Sequence, residues 1–96
     1  MNIIPIGNEN KLFCLQFNNS FKNDYDNFIT VFEKIINYFN GTDLEDLAKK
    51  ILLILISDYD KEDNSIILTT EELTDFMNLI FNYLNKSYTN YNTDML

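Results

Sequence analysis

Apolar residues recur at three- and four-residue steps in three stretches of the chain. Over 22–40, Tyr25, Phe28, Val31, Phe32, Ile35, Ile36 and Phe39 fall on one side of a helix. Gly41 supplies the stop. Thr42 with Glu45 three residues on has the spacing of a reciprocal cap and opens a second helix over 43–59. That helix carries Leu44, Leu47 and Ala48 and then an unbroken apolar run over 51–56, which predicts a buried central helix. The three isoleucines of the run also suit a strand, but the periodic lead-in and the cap favour helix. Thr69 and Glu72 repeat the capping spacing before a third helix ending about Lys86, with Leu73, Phe76, Met77, Ile80, Phe81 and Leu84 as its stripe.

Before the first helix, residues 3–6 and 12–17 read as extended segments around the turn formers Gly7, Asn8, Glu9 and Asn10. Pro5 lacks an amide donor, so the first segment suits only the edge of a sheet. Residues 66–68 form a further short extended piece. The expected fold is α+β, mostly α: a three-helix core with a short N-terminal β-hairpin. One compact domain is expected over 1–86, followed by a frayed polar tail over 87–96.

Arg, Trp and His are absent, whereas Asn, Ile, Phe and Tyr abound, a bias that points to an AT-rich coding origin. Fifteen acids against seven lysines give a formal charge of −8. Such a surface repels DNA, RNA and anionic lipid, so no direct nucleic-acid or membrane partner is expected, and a protein with a basic surface is. Without Arg the chain also lacks the bidentate donor of phosphate and guanine recognition. Cys14, the single cysteine, sits between Phe13 and Leu15 and reads as a small buried hydrophobe. With neither His nor paired thiols, no zinc site, other metal or cofactor is expected, and no enzyme. No signal-peptide pattern or membrane-length apolar run is present, and the expected compartment is the cytoplasm.

The segment 58–64 places oxygen-bearing side chains at alternating positions between two helices. It resembles a degenerate EF-hand: counted from Asp60, Glu62 is third, Asn64 fifth, Ile67 eighth and Glu71 twelfth. Ser65 stands where that family has Gly, and Leu68 where it has a polar residue. The resemblance implies a calcium-responsive protein; the acidic-loop reading implies a solvated turn and a helix cap.

The acids fall into patches, of which Asp58, Asp60, Glu62 and Asp63 form one and Glu71, Glu72 and Asp75 another. Patches of this kind can stand in for a phosphate backbone, which makes these seven residues the candidate partner-binding set. Size, acidity and AT-rich origin are analogous to phage- or plasmid-encoded inhibitors of host nucleic-acid-handling enzymes, of the anti-CRISPR kind. The expected function is therefore a small acidic non-enzymatic protein-binding module. A calcium-responsive protein or a phage assembly chaperone is the alternative.

Overall fold

The computed structural model describes residues 1–9, 11–18 and 24–95, with the side chains of 86–95 outside the description. Lys22 and Asn10, expected to open the first helix and close the first turn, lie outside the described residues. The elements run β1 (Asn2–Ile6), β2 (Leu12–Gln16), α1 (Asp24–Tyr38), α2 (Glu45–Ser57), β3 (Ser65–Thr69) and α3 (Thr70–Met95).

The architecture is α+β and mostly helical, the described residues forming three helices and one three-stranded antiparallel sheet in the order β1-β2-β3. The hairpin is thus part of a larger sheet. The extended piece at 66–68 lengthens into β3 and pairs with the second strand of the hairpin, with Leu15 opposite Ile66 and Phe13 opposite Leu68. Pairing a third strand gives β2 backbone partners on both sides, which a two-stranded hairpin cannot do. β1 is an edge strand, as Pro5 requires, and all five of its residues are exposed.

Side chains alternate across the sheet. Leu15, Ile66 and Leu68 face the helices and are fully buried, whereas Ile4, Leu12 and Ile67 face outward. Cys14 pairs with Ile67 on that outer face and is only half-buried, so the expectation of a buried thiol is corrected by strand register. The core joins the inner face of the sheet to Phe17, Phe32, Ile35, Phe39, Ala48, Ile51, Leu55, Phe76 and Leu79.

Two expectations about the helices also change. α2 is not buried all round: Ala48, Ile51 and Leu55 are in the core, but Leu53 and Ile56 are exposed at 67% and 51%. Nothing among the described residues covers its far side. The α3 stripe is narrower than expected and displaced. Phe76 and the unanticipated Leu79 are buried, while Met77, Phe81 and Leu84 are exposed. α3 also continues to Met95, past the expected end near Lys86, since no Gly or Pro interrupts it.

The two capping signals have different outcomes. At α3 the reciprocal cap forms: the Thr69 N–H donates to Glu72 Oε1 at 2.9 Å, and the Glu72 N–H donates to Thr69 Oγ1 at 3.1 Å. At α2 it does not. Thr42 turns back to donate its hydroxyl to the Phe39 carbonyl at 2.6 Å, and the helix begins after Leu44. Glu45 instead accepts from the Gly41 N–H and pairs with Lys49 at 3.1 Å. The Lys49 ammonium first, and then the Gly41 amide, hold the Glu45 carboxyl below its usual range.

Candidate functional site

The acidic segment 58–64 is a tight turn between α2 and β3. The Asp60 N–H donates to the Ser65 carbonyl at 2.8 Å, and the Ser65 N–H returns to the Asp60 carbonyl at 3.2 Å. Asp60 Oδ1 accepts the amides of Glu62 and Asp63 at 2.9 and 3.3 Å, a side-chain substitute for backbone pairing that Asp supplies readily. Asn64 then takes the left-handed conformation at φ 55°, which asparagine tolerates better than most residues.

An aromatic cluster fixes the base of the turn. The Tyr59 and Tyr25 rings stack at 3.6 Å with planes 3° apart, and Phe17 meets each of them edge-on. The Tyr25 hydroxyl donates to the Leu55 carbonyl at 2.9 Å. Tyr59 donates to the Asn64 side-chain oxygen, and the Asn64 amide donates to the Phe17 carbonyl at 3.3 Å.

Both phenols are pushed above their ordinary 10.0, first by desolvation and then by negative neighbours: Tyr59 and Asp26 around Tyr25, Asp26 and Asp60 around Tyr59. A raised folded-state value favours the neutral phenol in the fold. The resulting stabilisation is complete below the unfolded value and disappears as pH climbs through the raised one. The urea midpoint should therefore hold steady to about pH 9.5 and fall above it, and Tyr59→Phe should flatten that fall. Equal slopes for the two proteins would show that Tyr59 does not contribute.

β-Sheet geometry determines what is left open beside the turn. The Phe17 N–H bonds the Asn64 carbonyl and the Thr70 N–H bonds the Lys11 carbonyl, so alternate residues of β3, starting from Asn64, point their backbone groups at β2. Ser65, Ile67 and Thr69 point theirs away. Ser65 is taken by Asp60 and the Thr69 N–H by Glu72, which leaves the Ile67 N–H and C=O without a backbone partner among the described residues. Beside them is an open concavity of about 370 Å³ lined by Asp58, Asp60, Asp63, Ser65 and Ile67.

Three of the seven expected residues are thus brought together. Glu62 is exposed at the tip of the same turn and does not line the concavity. Glu71, Glu72 and Asp75 stand apart, at the start of α3, and the Glu72 carboxylate is engaged in the cap. Ser65 and Ile67 had no part in the expected set. Alternation in 65–69 was the available signal, since it puts Ile67 on the face opposite Ile66 and Leu68.

The turn departs from the EF-hand geometry. In that motif a bidentate Glu at the twelfth position closes on the ion. Here Ser65 to Thr69 run as a strand, which carries Glu71 away from Asp60. Among the described residues no three carboxylates converge closely enough to hold a metal ion, and no described helix is long and apolar enough to cross a membrane. No family model, curated protein or solved structure matches the chain.

Proposed function

We propose that the protein is a small non-enzymatic module that binds a basic protein surface by receiving an arginine or lysine side chain in the concavity beside β3. The observation that carries this reading is the lining itself: three carboxylates around one exposed isoleucine with an open backbone carbonyl. A long cationic side chain has an apolar stem and a charged head. Its stem packs on Ile67, and its head lies among Asp58, Asp60 and Asp63. Carboxylates too widely spaced for a metal ion suit a guanidinium, whose five donors spread over a plane. Glu62 and the acids of α3 add attraction at longer range and speed encounter. Occupying such a basic surface on a nucleic-acid-handling enzyme would inhibit it, and this inhibitory role is part of the proposal.

Selection from a random-peptide display library tests it. Enriched peptides should carry Arg or Lys, bind more weakly as salt rises, and perturb the Ile67 amide resonance. Asp58→Asn with Asp63→Asn should weaken them about 10-fold, since each exposed ion pair is worth up to about 1 kcal/mol. Asp60 is left intact because it holds the turn. Glu71→Gln with Asp75→Asn should cost less than half as much in free energy, since those acids lie outside the concavity. Enriched peptides without basic residues, or shifts confined to other surfaces, would overturn the proposal.

A further inference from the structure

The two edges of the sheet differ in what they offer an incoming chain. The odd-numbered residues of β2 bond β3, so 12, 14 and 16 bond β1, and on β1 Ile3 and Pro5 turn their backbone groups outward. Pro5 has no N–H to give, which blunts that edge. At the β3 edge Ile67 turns both its N–H and its C=O outward, and its side chain is half-exposed.

The chain itself begins a fourth strand at this edge and leaves it after one residue. Asp60 and Ser65 exchange both backbone bonds in a single antiparallel bridge. Carried on, that ladder would set residue 58 opposite Ile67. Asp58 instead ends α2, with its N–H donated to the Ile54 carbonyl at 3.0 Å. No described residue pairs with Ile67 on that side, and the concavity lies along it.

Charge and register together define the occupant. A residue paired antiparallel with Ile67 carries its side chain on the face that holds Ile67, Cys14 and Ile4. It lies in line with Asp60, about 7 Å along the edge, a distance that an extended lysine or arginine side chain spans. Its stem then rests on Ile67 while its head reaches Asp58, Asp60 and Asp63. Building on the function proposed above, we infer that the basic residue received by the concavity belongs to an extended segment that adds to the sheet as a short fourth strand antiparallel to β3, and that this same residue exchanges both backbone hydrogen bonds with Ile67. Antiparallel pairing needs the N–H and C=O of one residue only. A parallel strand would bond through the residues on either side, one of which would run into Asp60.

The test uses a basic peptide from the display selection, acetylated and amidated at its ends, with one backbone nitrogen methylated at a time. Methylation at the basic residue whose replacement by alanine costs most removes the donor to the Ile67 carbonyl and leaves charge and side chains unchanged. It should weaken binding about 10-fold or more. Methylation at the following residue, whose N–H faces away from β3, should weaken it about 2-fold or less. In the complex the Ile67 amide should exchange with solvent at least about 10-fold more slowly than in the free protein. Selected peptides without a basic residue would overturn the function proposed above and this inference with it. Equal binding by the two methylated forms of a basic peptide, a larger loss at the following residue, or an unprotected Ile67 amide would overturn the inference alone and leave that function standing.

Discussion

Leu55→Ala should cost about 3–5 kcal/mol, while Leu53→Ala, two residues earlier in the same apolar run, should cost about 0.5 kcal/mol or less. Leu55 is fully buried in the core, and truncating it leaves a cavity there. Leu53 is 67% exposed and loses little apolar contact on truncation. Ile56→Ala belongs with Leu53, since Ile56 is half-exposed at 51%. Urea denaturation of the three variants measures this directly. A large loss at Leu53 or Ile56 would show that the outer face of α2 is covered in solution, and comparison across protein concentrations would then tell whether a second copy covers it.

That contrast shows where the sequence stops being informative. A three-four spacing establishes that a helix exists and has an apolar side, and all three helices follow from it. It does not establish how much of that side its neighbours cover. The run over 51–56 is apolar in every direction, so only the placement of α1, α3 and the sheet decides that Ile51 and Leu55 go inside and Leu53 outside. The α3 stripe met the same ambiguity. Met77, Phe81 and Leu84 sit beside the core-facing line through Phe76 and Leu79, and both lines obey helical spacing.

Pairing over distance was illegible for a related reason. The segment over 66–68 was recognisable as extended, but its partner lies some fifty residues earlier, and alternation alone cannot name a partner. Once β3 pairs with β2, the EF-hand spacing loses its meaning and the acids of the turn take a different geometry. Of the seven candidate acids, Asp58, Asp60 and Asp63 share a surface because the turn folds back on Ser65. Glu71, Glu72 and Asp75 are carried off by five residues of strand. The Thr69–Glu72 cap was legible because both partners are local. Thr42–Glu45 had the same spacing, but the Phe39 carbonyl at the end of α1 captured the threonine.

Asn64 should be the most sensitive residue of the turn. It has a φ of 55°, accepts the Tyr59 hydroxyl, donates its amide to the Phe17 carbonyl, and through its own carbonyl accepts the Phe17 N–H. Asn64→Ala keeps the backbone bond but adds about 1–2 kcal/mol of strain for a left-handed residue without a helping side chain. It also leaves two polar groups to find water, at about 1 kcal/mol each, so the total should be about 2–4 kcal/mol. Asn64→Gly loses the same side-chain bonds and none of the conformational ease, and should cost about 1–2 kcal/mol less than alanine. The difference between the two variants isolates the backbone term, and equal losses would show that φ is not what selects asparagine here. The consequence reaches the concavity as well. Asn64 ties Tyr59 and Phe17 to the start of β3, and Asp60 pairs with the next residue, Ser65, so loosening Asn64 frees the carboxylates that line the depression. Basic peptides selected on the parent should therefore bind Asn64→Ala more weakly than Asn64→Gly under conditions where both variants are folded, although neither substitution changes the charge.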